Sequence, residues 1–123
     1  MVQEDVSNLR RQLHKLEDKK EELLADIKKL HKNTDILRSV SEENARFQKE
    51  MLDDLGKSKY RYVLADSAER SRQAGRAGIQ QLEDLAEEYN EKLTRLDDEY
   101  AELQKQYKKA KVEENNKKEN ENK

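Results

Sequence analysis

Metal or catalytic chemistry in this chain would depend on histidines and carboxylates, because its 123 residues include no cysteine. His14 and His31 are its two histidines. Helical di-iron sites take a Glu-x-x-His motif from each of two helices, but the residues three before these histidines are Arg11 and Lys28. The sequence also lacks a G-x-S-x-G elbow and a phosphate-binding glycine loop. We therefore predict no metal site, no cofactor and no enzymatic activity.

Basic side chains are concentrated in residues 57–76, which hold six Lys or Arg residues against two acidic ones. These charges, with the rings of Tyr60 and Tyr62, could contact the phosphates and bases of a nucleic acid. The whole chain has a net charge of −2 and provides no long-range attraction for a polyanion. A solvated basic face is the commoner explanation. Nucleic-acid binding is therefore kept as the third of three hypotheses.

Long helices are the elements that would carry these residues. Only 33% of residues are hydrophobic and 44% are charged, which leaves too few apolar side chains for a compact globule of this length. Apolar residues nevertheless recur at alternating steps of three and four, which indicates helices rather than disorder. The pattern predicts an all-α protein, an antiparallel two-helix hairpin that forms a coiled coil.

A heptad frame in the first half places Val6 at position a and Leu9 at position d, and the a and d positions together form the seam between the helices. Lys20 and Thr34 are polar residues in this seam. After Leu37 we predict that the frame slips by three residues, which overwinds a coiled coil locally. The slipped seam continues through Val40, Asn44, Phe47 and Met51.

The second half has an uninterrupted frame from Ile79 to Ala110. Extended backwards, its seam includes Gly75, Arg72, Ala68 and Ala65. The two frames face each other, a against d, when the chain folds back about Ser58. The predicted facing pairs include Leu9 with Tyr107, Leu16 with Tyr100, Leu30 with Ala86, and Leu37 with Ile79.

The predicted boundaries follow from this pairing. Helix 1 spans about 3–55, the turn 56–59 and helix 2 about 60–112, so that 1–112 form the hairpin. Gly56 can adopt the left-handed conformation that ends a helix, and the Ser58 hydroxyl can cap the next one. Residues 113–123 contain only Glu, Asn and Lys, and we predict a frayed or disordered polar tail.

Apolar side chains that the predicted seam does not use gather around the turn. They are Leu52, Leu55, Tyr60, Tyr62, Val63 and Leu64. Together with Val40, Phe47 and Met51 they form the predicted partner-binding surface, because a wide apolar face on a two-helix unit favours further helices. Two alternatives remain for the partner, a different helical protein or a second copy that completes a four-helix bundle. A chain that only self-associates would be a structural spacer or scaffold.

A helical hairpin of this size with a glycine at the turn resembles the WXG superfamily of small type VII (Esx) secretion proteins. It is most similar to the helical partners of LXG toxins, over about residues 1–112. The turn contains Gly56 without the family's tryptophan, and Tyr62 to Asp66 fit the Y-x-x-x-D/E secretion pattern. The resemblance implies a non-enzymatic targeting chaperone or adaptor that binds a toxin's helical N-terminal domain.

Location is predicted from what the sequence lacks. No apolar run approaches the ~20 residues of a membrane span, and the first residues lack the apolar core of a secretory signal. We expect a cytoplasmic protein. Export together with a partner is what the resemblance implies.

Overall fold

The fold is an antiparallel helical hairpin, in a computed structural model that describes residues 5–121. Helix α1 spans Val6–Leu55 and helix α2 spans Tyr60–Glu121. The two helices pack against each other, and this described part of the chain contains no strand. The predicted all-α hairpin is therefore confirmed.

The turn between the helices has a cap on each side. Gly56 has a φ of 54°, in the left-handed region where a side chain would be strained. The Ser58 N–H donates to the Leu55 carbonyl at 2.9 Å, and the Ser58 hydroxyl accepts from the Tyr60 N–H at 3.2 Å. The Arg61 guanidinium donates to the Gly56 carbonyl at 3.1 Å. These bonds satisfy backbone groups that helix ends leave without partners.

Helix α1 begins at Val6, later than the predicted start near residue 3. Asp5 precedes the helix, and its carboxylate accepts from the Ser7 N–H at 3.4 Å, as an N-cap does. The Leu9 N–H donates to the Asp5 carbonyl at 3.0 Å. The predicted first residues, 3 and 4, lie outside the described residues.

Helix α2 continues to Glu121, so the predicted end at 112 and the non-helical tail are wrong for residues 113–121. Glu and Lys are good helix formers, and Lys118 lies 3.6 Å from Glu114 in an i,i+4 ion pair. The helix therefore propagates beyond the last apolar contact, although residues 113–120 are exposed. Residues 122 and 123 of the predicted tail lie outside the described residues.

The chain divides into two compact units, each containing part of both helices. The end unit comprises Met1–Asp26 and Tyr89–Lys123, and the turn unit comprises Ile27–Glu88. The buried residues of the described chain all lie at predicted seam positions: Leu9 and Leu16 in the end unit, and Ile27, Thr34, Ala68 and Ala86 in the turn unit.

In the end unit, the predicted register agrees with the observed contacts. The Arg10 guanidinium donates to the Tyr107 hydroxyl at 3.0 Å, and the Tyr100 hydroxyl donates to the Glu17 carboxylate at 2.7 Å. In each pair the tyrosine is the predicted one, and its partner on α1 directly follows the predicted seam residue, Leu9 or Leu16. The half-buried Lys20 places its Nζ 2.5 Å from a carboxylate oxygen of Asp97. This hydrogen bond raises the pKa of Lys20, so a polar seam residue is matched by charge from the other helix.

In the turn unit, the seam of α1 differs from the prediction. The half-buried residues after Leu37 are Ser41, Ala45, Gln48, Leu52 and Leu55, whereas Val40, Asn44, Phe47 and Met51 are exposed. The seam thus takes two successive steps of four residues, from 37 to 41 and on to 45. The predicted three-residue slip is wrong, since such a step pattern unwinds a coiled coil locally instead of overwinding it.

In the same unit, the seam of α2 also differs from the predicted seam. Ala68 is 1% exposed, and Leu64 and Gly75 are half-buried. Ala65 and Arg72, which were predicted seam residues, are exposed. It follows that Leu52, Leu55 and Leu64, predicted to be surplus to the seam, occupy it instead.

Candidate protein-docking surface

Large apolar side chains lie on the outside of the turn unit. The exposed fractions are 52% for Ile36, 46% for Val40, 62% for Phe47, 38% for Met51, 63% for Tyr60, 83% for Tyr62 and 66% for Val63. Exposed apolar residues scattered singly need no explanation, but a contiguous group marks an interaction surface. Their positions around the helices decide which of the two applies.

On α1, four of these residues form a single stripe. Ile36, Val40, Phe47 and Met51 each directly precede a half-buried seam residue. Successive residues in an α-helix are rotated by about 100°, so all four lie on the same flank of α1, beside the seam. We call this set the α1 stripe.

On α2, Val63 directly precedes the seam residue Leu64. Two antiparallel helices are related by a local twofold axis perpendicular to the plane that contains them. Residues that precede the seam therefore lie on the same side of the hairpin in both helices. Val63 extends the side that carries the α1 stripe, while Tyr62, two positions before Leu64, lies on the back of α2.

Eight of the nine predicted partner-binding residues separate into three groups, and the ninth, Tyr60, is the first residue of α2 and is 63% exposed. Val40, Phe47 and Met51 lie in the α1 stripe, and Val63 lies on the same side. Leu52, Leu55 and Leu64 lie in the seam, and Tyr62 lies on the back of α2. Sequence reasoning left Ile36 out of the surface, although its four-residue spacing from Val40 was a usable signal.

The secretion-like pair, Tyr62 and Asp66, is exposed near the start of α2. The two residues are one helical turn apart and share a face. Asp66 lies 3.3 Å from Arg70 in an i,i+4 ion pair. Both side chains are accessible from solvent, and Asp66 has a local counter-charge.

The basic stretch at 57–76 is partly neutralised by its own helix. Arg70 pairs with Asp66, and Arg72 lies 3.7 Å from Glu69. The Arg61 guanidinium is bonded to a carbonyl of the turn. The two ion pairs reduce the positive charge that this stretch offers to phosphates, and the bond to the carbonyl holds the Arg61 side chain at the turn.

Candidate metal and catalytic groups remain dispersed. Nδ1 of the exposed His14 lies 3.6 Å from a carboxylate oxygen of Glu17, and residues 5–121 contain no group of three side chains placed to hold a metal ion. A partly open groove of about 360 Å³ in the turn unit is lined by residues of both helices, among them Ser41 and Gly75.

The fold and surface define a class, an antiparallel helical hairpin with exposed apolar side chains on one side of its turn unit. No family model, no curated protein and no solved structure matches the chain. Within residues 5–121, no helix combines the length and apolar character needed to cross a membrane.

Proposed function

We propose that this protein is a non-enzymatic helical adaptor or chaperone, which binds helices of another polypeptide chain through the α1 stripe and Val63. The observation that carries the proposal is the exposure of the stripe beside a seam that does not use it. Phe47 is 62% exposed, while the adjacent seam position is filled by Gln48. Large side chains are thus kept out of the hairpin and available to another chain.

Helix packing gives this surface its expected mode of binding. A stripe of large apolar residues on one flank of an antiparallel pair is complementary to further helices, as in a four-helix bundle. Complete burial of a Phe or Val side chain contributes about 1.5–3 kcal/mol. Phe47 and Val63 are the most exposed large apolar residues placed on this side, so their burial should contribute most to the affinity.

The test uses two variants of the full chain with matched chemistry. Phe47→Asp combined with Val63→Asp places charge on the surface without entering the seam. Val112→Asp is the control, because Val112 is also 57% exposed but lies in the end unit. The partner is first recovered from the native host by affinity purification, identified by mass spectrometry and then co-expressed with each variant.

We expect the double variant to lose the complex and Val112→Asp to keep it, with helical circular dichroism unchanged in both. Retention of the complex by the double variant would show that this surface is not the docking site.

A finer hypothesis is that the partner is the helical N-terminal domain of an LXG-type toxin. Binding would then target the toxin to type VII secretion. It is supported by the hairpin architecture and by the exposure of Tyr62 and Asp66 on α2. Co-expression with such a domain tests it, together with an export assay of Tyr62→Ala. If the complex forms and its export is unaffected by Tyr62→Ala, the toxin domain remains the partner, but Tyr62 has no role in secretion.

A further inference from the structure

We propose that the chain bound by this docking surface is a second copy of this protein, packed antiparallel about a twofold axis. The inference rests on the proposed function and names its partner. It comes from the intervals between the residues of the α1 stripe, which follow the same order when counted from the N-terminal or from the C-terminal end. Ile36 and Val40 are four residues apart, Val40 and Phe47 seven, and Phe47 and Met51 four.

This symmetry makes the stripe complementary to itself. A twofold axis that passes between Glu43 and Asn44 places Ile36 opposite Met51 of the second copy. It also places Val40 opposite Phe47 of the second copy. Every large apolar residue of the stripe then meets another, which is what an isologous interface requires.

The polar residues at the centre fit the same axis. Asn44 directly precedes the seam residue Ala45, so it lies within the stripe, next to the axis. Its amide can donate to the Glu43 carboxylate of the second copy, and this bond occurs twice by symmetry. A buried polar pair of this kind fixes the register of two helices, because any shift leaves it without a partner.

Charges beside the stripe are also complementary. The axis brings Lys32 near Asp54 of the second copy and Arg46 near Glu43 of the second copy. Within the described chain none of these four side chains makes an ion pair or a hydrogen bond. Opposite charges that have no partner inside the hairpin are therefore placed together between copies.

The antiparallel arrangement also covers the exposed side of α2. Contacts of Gly75 with Ser41 and of Gly78 with Leu37 set Arg72 about level with the axis. The twofold operation stacks α2 on α2 of the second copy, which covers Val63 and brings Tyr60 near Leu85. A parallel arrangement of the two stripes would leave this side of α2 uncovered. The antiparallel dimer buries more of the exposed apolar surface.

Single cysteines can report this geometry, since the chain has none of its own. A disulfide requires Cα atoms within about 7 Å. Asn44→Cys, beside the axis, is expected to form a covalent dimer alone. Ile36→Cys or Met51→Cys alone should not, because like residues are then ~22 Å apart along the helix. An oxidised mixture of the two is expected to give a 36–51 linked dimer on a non-reducing gel.

Sedimentation equilibrium of the full chain measures the dissociation constant of the same dimer without a covalent link. Wild type is expected to be a dimer, and Phe47→Asp a helical monomer. Arg46→Glu and Glu43→Arg should each raise the dissociation constant at least fivefold, and the double exchange should restore it. Crosslinking of Ile36→Cys to itself would overturn the antiparallel axis. A Phe47→Asp dimer as tight as wild type would overturn the interface.

The outcomes separate this inference from the proposed function. If wild type is monomeric while Phe47→Asp with Val63→Asp still abolishes a complex with a different protein, the second copy is wrong and the docking surface stands. If wild type is monomeric and that complex is unaffected by the substitutions, both proposals fail.

Discussion

The hydroxyl oxygen of Ser41 lies 3.0 Å from the position that a Cβ atom on Gly75 would occupy. The two helices therefore approach each other closely in the turn unit, where a hydrogen on Gly75 faces a small side chain. A bulky residue in place of Ser41 would not fit this approach. Ser41 therefore occupies the seam at this point, and the larger Val40 that directly precedes it is exposed in the α1 stripe.

This relationship predicts the effect of alanine at Gly75. Replacing a helical glycine by alanine is worth about 0.5–1 kcal/mol, but the new methyl group would contact the Ser41 hydroxyl. We expect Gly75→Ala alone to change the free energy of unfolding little. Combined with Ser41→Ala, which removes that hydroxyl, it should stabilise by about 0.5–1 kcal/mol relative to Ser41→Ala alone. Urea unfolding of the four proteins at one concentration measures both values, and additive effects would contradict the contact.

Alanine at Gly56, in contrast to alanine at Gly75, should lower the free energy of unfolding. Nothing lies within 4 Å of a Cβ built there, so the effect of Gly56→Ala comes from its φ of 54° alone. We expect a loss of about 1–2 kcal/mol in unfolding free energy, since the left-handed conformation is unfavourable for alanine. Gly56→Asn should recover part of this loss, because asparagine tolerates the conformation better. Equal thermal midpoints for the Ala and Asn variants would argue against this cause.

Thr34 is a buried polar residue of the seam, and its replacement by an apolar residue should stabilise the hairpin. It is 5% exposed, and its hydroxyl donates to the Leu30 carbonyl at 2.7 Å. That carbonyl also accepts the backbone bond of the helix, so removal of the hydroxyl leaves it satisfied. We expect Thr34→Val to raise the unfolding free energy by about 0.5–1 kcal/mol. Thr34→Ser, which keeps the hydroxyl and loses the methyl group, should lower it; a destabilised Val variant would show that the hydroxyl is needed.

Two tyrosines of the end unit should ionise at different pH. The Tyr100 hydroxyl donates to Glu17, which raises the pKa of Tyr100, whereas the bond from Arg10 lowers the pKa of Tyr107. Tyr107 is therefore expected to ionise at a lower pH than Tyr100. Tyrosinate absorbance of Tyr107→Phe should lose an early step, and that of Tyr100→Phe a late one. The reverse assignment would contradict the two hydrogen bonds.

The same shifts set the direction of the pH effect on stability. The raised pKa of Tyr100 contributes stability that is present below the ordinary tyrosine pKa and is lost as the pH rises through the folded value. The lowered pKa of Tyr107 contributes stability that is present above the ordinary value and is lost as the pH falls through the folded one. Unfolding of the two Phe variants on either side of pH ~10 checks the signs.

The sequence by itself determined the helices, the turn and most of the register. Heptad spacing predicted the burial of Leu9, Leu16 and Ile27, because helical periodicity is a local property of the chain. The tertiary structure decided the seam after Leu37 and therefore which apolar residues are left exposed in the α1 stripe. Hydrophobicity favoured Val40 and Phe47 for the seam, but small residues occupy it where the helices approach closely: Ser41 on α1, and Ala68 and Gly75 on α2. The close approach at Ser41 and Gly75 leaves no room for a larger side chain at that point, and it becomes known only when the two helices are packed together.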